Sequence, residues 1–285
     1  MNSIFAETDT PFQRRFAGLA RLYGVLGARA ISNAHVVIVG IGGVGSWTAE
    51  SLARSGVGAI SLIDLDHISE SNVNRQIHAL TDTLGMSKIL AMKERIAQIN
   101  PDCQVNCVDD FVTPDNWITI LEGISDSPVS ALVDACDQVS AKVALSAWAM
   151  RTVRTVRTMS SISVDKRSND DHHANIHFIT VDAAGGKRWA HKVDIQDLAK
   201  VTHDPLLAQL RNRLRKDHNA AREGRVMGIQ CVYSTEPVKG PDSSCAVATD
   251  GSLNCHGYGS TVSVTATFGQ CAAGWVCDQL ALDAV

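Results

Sequence analysis

Short β-branched runs alternate with amphipathic stretches through the first half of the chain. Residues 12–34 read as a polar and basic helical lead-in. His35–Val39 (HVVIV) is a compact apolar run ending in glycines, the form of a strand buried on both faces of a parallel sheet. Val44–Ser55 carries Val44, Trp47, Thr48 and Leu52 at helical spacing, and Gly56-Val57-Gly58 stops it. Ala59–Ile63 predicts a second strand, closed by Asp64-Leu65-Asp66. Ser87–Asn100 predicts an amphipathic helix, with Ile89, Met92, Ile96 and Ile99 as its apolar face and Pro101 as its stop. Gln104–Val108 and Ala131–Asp134 complete a β-α-β-α-β-β rhythm, and Val139–Met150 supplies another helix. This alternation predicts an α/β fold, a Rossmann-like, doubly wound and mostly parallel sheet with helices on both faces.

The second half is less regular. Arg157–His177 is polar, with Ser160-Ser161, Asp170-Asp171 and His172-His173, and reads as an exposed insertion. Paired histidines of this kind are commoner on a solvated loop than in a metal site. Phe178–Val181 predicts a further strand, and Asp204–Asp217 a helix with Leu206, Leu207, Leu210 and Leu214 on one face. Thr261–Phe268 (TVSVTATF) reads as a strand or as the β-rich start of a closing helix. The expected division is an ATP-binding core over 12–151, with 152–285 holding the insertion and a C-terminal substrate-binding part of the same domain.

Composition adds limits. With 285 residues, 45% hydrophobic and 20% charged, the chain has the makeup of a globular protein rather than a disordered one. Lys plus Arg is 26 against 30 for Asp plus Glu, a net charge of −4, so a polyanionic partner has to be argued from a local patch. No apolar run approaches the roughly 18–20 residues of a membrane span. Met1–Pro11 lacks the basic and then apolar regions of a secretory leader. The eight cysteines (103, 107, 136, 231, 245, 255, 271 and 277) show no C-x-x-C spacing. They read as thiols in a reducing compartment, cytoplasmic with nucleus and mitochondrion left open, and not as a four-cysteine zinc site.

The sharpest chemical signal is Gly40-Ile41-Gly42-Gly43-Val44-Gly45-Ser46, directly after a strand and opening a helix. Glycines allow a tight turn and close approach to phosphates, whose charge meets the amides of the helix N-terminus. Asp64 then stands where a ribose hydroxyl would lie. Taken alone, the spacing favours a dinucleotide. Other residues shift the balance toward a triphosphate. Ser71–Gln76 (SNVNRQ) is a polar segment with one arginine, Arg75, and Lys88 opens the next helix. Asp137 follows a strand at its carboxyl end. Together these offer two cations for phosphates and a carboxylate able to hold Mg²⁺ between them.

The run GIGGVGS…DLD…NVNRQ…SK…DACD resembles the ThiF/MoeB/HesA superfamily of ubiquitin-activating-type adenylating enzymes over roughly residues 12–151. That resemblance implies ATP and Mg²⁺ as cofactors. Asp64 would hold the ribose, Arg75 and Lys88 the phosphates, and Asp137 the Mg²⁺. The wider nucleotide site would take in Gly40, Gly42, Gly43, Gly45, Ser46, Asp66, Asn72 and Gln76. It also implies a homodimer in which a basic residue of the partner's N-terminal helix reaches the phosphates, with Arg21 or Arg15 as the candidate. Residues 15–24, 72–80 (NVNRQIHAL), 109–116 (DDFVTPDN), 193–204, 231–236 and 265–269 are similar to the tRNA threonylcarbamoyladenosine dehydratases. The implied reaction is ATP-driven dehydration of N6-threonylcarbamoyladenosine beside the tRNA anticodon. The threonyl carboxylate would become an acyl-adenylate, and an internal nucleophile would then displace AMP. Paired C-x-x-C zinc ligands, characteristic of sulfur-carrier activators, are missing.

The cysteines and the basic residues bear on this reading. Cys231, Cys245 and Cys255 lie in segments resembling the family, and Cys255, beside His256, is the first candidate for a catalytic thiol; a sulfur-transfer partner would follow from such a role. Between Lys187 and Arg225, ten Lys/Arg oppose five Asp/Glu, and Arg151, Arg154 and Arg157 add a basic run, which favours RNA contact. Two features depart from the family: Asp182-Ala183-Ala184-Gly185-Gly186 is poorer in glycine, and Trp189 is unexpected after Lys187-Arg188. Three other functions compete: an activator of a ubiquitin-like sulfur carrier, a regulatory nucleotide-binding protein and a nicotinamide dehydrogenase.

Overall fold

A computed structural model describes residues 10–124, 127–159, 176–222, 224–242, 244 and 258–284. Helix α1 (Pro11–Asn33) starts from Thr10, whose hydroxyl accepts from the Gln13 amide in a capping box, and is kinked at Gly24 (φ +73°). There follow β1 (His35–Val39), α2 (Gly45–Arg54), β2 (Ala59–Ile63), α3 (Lys88–Ile99), β3 (Gln104–Val108), α4 (Trp117–Gly123), β4 (Ala131–Asp134) and α5 (Val139–Met159). The rest comprises β5 (His177–Val181), β6 (Val193–Asp197), α6 (Pro205–Asp217), β7 (Gln230–Ser234) and a long last helix, α7 (Val262–Leu282).

The seven strands form one sheet in the order β3-β2-β1-β4-β5-β7-β6, parallel except for β6 against β7. Strands from both sides of residue 151 therefore share a sheet. Alternate side chains on each strand enter different cores, as the pleat requires. Val36 and Ile38 pack with α2, α3 and α7, whereas Val37 and Val39 pack with α4, α5 and α6. The α/β doubly wound architecture agrees with the sequence. No helix among the described residues is long and apolar enough to cross a membrane.

Two expectations need correction, and one alternative is decided. The pairing of β3 directly with β4 in the strand rhythm omits α4, whose Trp117 and Leu121 are buried in the second core. Helix α5 continues nine residues past Met150. Of the two forms open to residues 261–268, the start of the closing helix is the one present. Val264, Phe268, Ala272, Val276 and Leu280 recur every fourth residue and are all buried, so the packing of one helical face overrides the local β preference. Most of the predicted insertion, including His172-His173, lies outside the described residues.

Candidate active site

From β1 the chain winds outward through β2 and β3; from β4 it winds the other way through β5. The carboxyl ends of β1 and β4 thus border the crevice at which open α/β sheets bind ligands. A cleft of about 620 Å³ occupies this place. Its walls include Gly40, Gly42, Asp64, Arg75, Lys88 and Asp137, so residues from five separate stretches of sequence converge there.

The glycines differ in what they do. Gly40 has φ +86°, and a Cβ there would press on the Ala135 carbonyl at 2.8 Å. A Cβ on Gly45 would overlap the Gly40 carbonyl oxygen, which locks the turn from β1 into α2. A Cβ on Gly43 would meet Thr265 Cγ2 at 3.2 Å. Gly42 alone of the four has open space around it. Helix α2 begins at the end of this loop and brings the positive end of its dipole to the cleft. Ser46 is fully buried and uses its hydroxyl as an acceptor for the Ile77 amide at 3.4 Å, a structural tie.

Asp64 clamps the loop. Its Oδ2 accepts from the Ile41 amide at 2.6 Å and its Oδ1 from the Asp66 amide at 2.8 Å, leaving each oxygen a lone pair for a ligand hydroxyl. Burial raises its pKa above the ordinary carboxylate value, although Lys88 and the two amides pull the other way. Lys88, the first residue of α3, is buried with its ammonium 2.6 Å from Asp66 Oδ2 and 3.9 Å from Asp64 Oδ1. It therefore holds the acidic turn after β2 as well as lining the cleft.

The segment after that turn is pinned from two sides. Asn72 is buried, and its Oδ1 accepts from the Ser69 amide to close a 3-10 turn. The Arg75 guanidinium donates to the Ser71 carbonyl at 2.6 Å and to Asn74 Oδ1 at 3.0 Å. The Arg75 carbonyl accepts from Trp47 Nε1 of α2 and Thr265 Oγ1 of α7. Gln76 lines the cleft, yet its buried Oε1 has no hydrogen-bond partner among the described residues. An orphaned acceptor in a dry wall is costly unless a ligand completes it.

Asp137 is exposed at the cleft just past β4. No group of three metal-ligating side chains occurs among the described residues, so a cation here would take most of its ligands from phosphate and water, the usual habit of Mg²⁺. Arg21 is exposed on α1 and stands outside its own cleft, and Arg15 donates to the Ile99 carbonyl at 2.8 Å. Cys231 is fully buried, and burial pushes its thiol well up. Cys136 lines the cleft, but its Sγ donates to Asp134 Oδ1 at 2.8 Å, and burial with that carboxylate keeps the thiol protonated. A nucleophilic role needs the thiolate, so the structure turns Cys231 from a candidate into a core residue. Cys245 and Cys255 lie outside the described residues.

The cleft also contains residues that the sequence reading did not assign to the site, among them Asp182, Ala184, Leu206 and Thr265. Asp182 had a usable signal: it ends the β run HFITV as Asp64 ends AISLI. Thr265 had only its place in the family-like stretch 265–269, because it joins the site through a helix whose first turns also read as strand. The departure at Ala183-Ala184 has no conformational cost; neither has positive φ, and Gly186 (φ +72°) takes the left-handed turn. Trp189 is half-exposed beside His191, with the Lys239 ammonium 5.8 Å from its ring.

Residues 13–187 match the ThiF family. The chain belongs to that family. This ThiF-family chain is 41% identical over 267 residues to the tRNA threonylcarbamoyladenosine dehydratase of Escherichia coli, spanning 90% of each chain. It is 37% identical to that of Haemophilus influenzae, over 98% of this chain and 97% of the other. The crystal structure of the E. coli dehydratase in complex with ATP superposes with a TM-score of 0.77 at 39% identity, covering 95% of this chain and 96% of that one. The chain thus stands among the tRNA threonylcarbamoyladenosine dehydratases of the ThiF family.

Proposed function

We infer that the chain is an ATP-dependent enzyme that dehydrates N6-threonylcarbamoyladenosine in tRNA to its cyclic form. The observation that carries this reading is the 41% identity to the E. coli dehydratase across 90% of both chains, at a cleft that keeps the glycine loop, Asp64, Arg75, Lys88 and Asp137 together.

A carboxylate resists attack until one of its oxygens becomes a good leaving group. The threonyl carboxylate attacks the α-phosphate of ATP; the bond to pyrophosphate breaks and an acyl-adenylate forms. An atom of the carbamoyl group then attacks the activated carbonyl carbon, and AMP leaves. Ring closure and loss of AMP amount to removal of one water. In this reading Gly42 admits the phosphates and Asp64 holds the ribose. Arg75 and Lys88 stabilise the charge that develops on the phosphates. Asp137 would hold Mg²⁺, which supplies charge neutralisation between phosphates when bound.

The tRNA would lie along α6. Of the basic residues between 187 and 225, Lys187 is buried and Arg211 and Arg215 donate to backbone carbonyls. Arg188, Lys192, Lys200, Arg213, Lys216, Arg222 and Arg225 remain exposed for phosphate contacts. A homodimer is supported by Leu22 (74% exposed), Val25 and Leu26, an apolar stripe on α1 around the Gly24 kink and beside Arg21. We infer a cytoplasmic enzyme, since the bacterial relatives' tRNA is made and used there.

The test is AMP formation from ATP and Mg²⁺ with tRNA that carries or lacks threonylcarbamoyladenosine. AMP should form only with the modified tRNA, and Asp137→Ala should lower its rate at least about 100-fold. ATP binding with no turnover on modified tRNA would contradict the reading.

A further inference from the structure

Asp182 sits at the carboxyl end of β5, one strand beyond Asp137 and on the opposite side of the glycine loop from Asp64. It lines the cleft and is 3% exposed. Its Oδ2 is bound by the Lys187 ammonium, whereas its buried Oδ1 has no hydrogen-bond partner among the described residues. Lys187 is itself completely buried and fixed on three more sides. It donates to the Ala183 carbonyl at 2.9 Å, lies 3.4 Å from Asp204 Oδ2, and stands 5.6 Å from the centre of the Phe268 ring. Asp204 in turn is the N-cap of α6, accepting from the Leu207 amide.

This is an expensive arrangement for stability alone. Two carboxylates and an ammonium are taken out of water, and one carboxylate oxygen is left without a donor. The charged groups around Asp182 are Lys187 and Asp204, with the Cys231 thiol near by, and burial and Asp204 both raise its pKa well above the ordinary value. In its ionised form a carboxylate so raised is a stronger proton acceptor than an exposed one, and the fraction ionised sets the rising limb of a pH profile.

The proposed ring closure needs such a group. Whether the carbamoyl oxygen or its outer nitrogen attacks the activated carbonyl, one N–H proton of the urea-like unit must leave as the ring bond forms and the bond to AMP breaks. We propose that Asp182 Oδ1 accepts this proton, with Lys187, which holds Oδ2, and Asp204, which holds Lys187, as positioning residues. The inference rests on the dehydratase reading. In balance, the new ring bond forms, the acyl–phosphate bond breaks with its electron pair leaving on AMP, and the N–H proton moves to Asp182, which returns it to solvent after product release.

The experiment is single-turnover kinetics with excess enzyme, modified tRNA and ATP, following pyrophosphate release and the cyclised nucleoside separately. Asp182→Asn should keep the pyrophosphate step within about threefold and slow cyclisation about 100-fold or more, the usual scale for a lost general base. Asp204→Asn, which preserves the helix cap, should leave pyrophosphate release unchanged. It should move the rising limb of the cyclisation pH profile to lower pH, because one of the groups that raises Asp182 is gone. Equal loss of both steps in Asp182→Asn, undiminished cyclisation, or an unmoved pH limb in Asp204→Asn would overturn the proposal while leaving the dehydratase reading in place. Absence of tRNA-dependent pyrophosphate release by the unaltered enzyme would overturn both.

Discussion

Single residues in this protein separate construction from binding. A methyl group at Gly45 collides with the Gly40 carbonyl, whereas one at Gly42 meets nothing within 4 Å. Gly45→Ala should therefore lower Tm by several degrees, about what a 1–3 kcal/mol steric penalty costs. Gly42→Ala should melt within a degree or two of the unaltered protein and still bind ATP about tenfold more weakly; thermal melts paired with ATP titrations separate the two. His78 makes a different point. It is buried between Lys88 and Arg95 without a partner for either ring nitrogen among the described residues, and its pKa is lowered to about 4, chiefly by burial. The folded state thus binds fewer protons than the unfolded state between pH 6.5 and about 4. Stability is fully present above pH 6.5 and falls as pH drops through that window, by a total approaching about 3 kcal/mol. Urea unfolding at pH 7.5 and 4.5 should show this loss, and His78→Leu should remove most of it. Residue chemistry was well legible in the sequence where it depends on local order. Asp64, Arg75, Lys88 and Asp137 all line the cleft; Asp64 and Asp137 stand after strands and Lys88 opens a helix, whereas Arg75 stands out as the one cation of a polar segment. The pairing of Lys88 with Asp66, and the burial of Cys231, were not legible, since both depend on which strands become neighbours.

At the scale of elements, five of the seven strands were read almost to the residue, because β-branched runs bounded by glycine or aspartate have few alternatives; β6 and β7 were not read as strands. Helix α7 was the hard case. Its first turns carry Val262, Val264, Thr265 and Thr267, and only the deep packing of Phe268, Ala272 and Val276 on the sheet and α2 decides for helix. That packing has consequences for the site, since Thr265 on α7 braces the Arg75 carbonyl and a Cβ on Gly269 would collide with the Val44 carbonyl at 2.6 Å. Helix α6 shows the opposite limit. Its charge count was visible, but not that Lys187 is interior or that Arg211 and Arg215 are tied to carbonyls. The useful basic surface is the exposed remainder. Lys216→Glu, Arg222→Glu and Arg225→Glu combined should weaken tRNA binding about tenfold or more at low salt. They should also flatten the dependence of log K on log salt by about three, with ATP affinity unchanged. Binding titrations over a series of salt concentrations measure both.

At the scale of the whole molecule, a nucleotide cleft at the sheet's switch point adjoins a basic helix whose N-cap, Asp204, touches the Lys187–Asp182 pair at the cleft wall. In the proposed dimer two protomers share a site through Arg21. If they do, mixing inactive Arg21→Ala with inactive Asp137→Ala protein should restore activity to about a quarter of normal, because half the dimers are hybrids with one intact site of two. Activity that stays at the level of either variant would confine each site to one chain. Dehydration itself is read most simply from the mass of the product. Transfer RNA carrying N6-threonylcarbamoyladenosine is incubated with the protein, ATP and Mg²⁺, digested under mild conditions, and the nucleosides are weighed by mass spectrometry. The threonylcarbamoyl nucleoside should be replaced, only when ATP is present, by a species lighter by one water. A nucleoside of unchanged mass, from a protein that binds both ATP and the tRNA, would contradict the dehydratase reading.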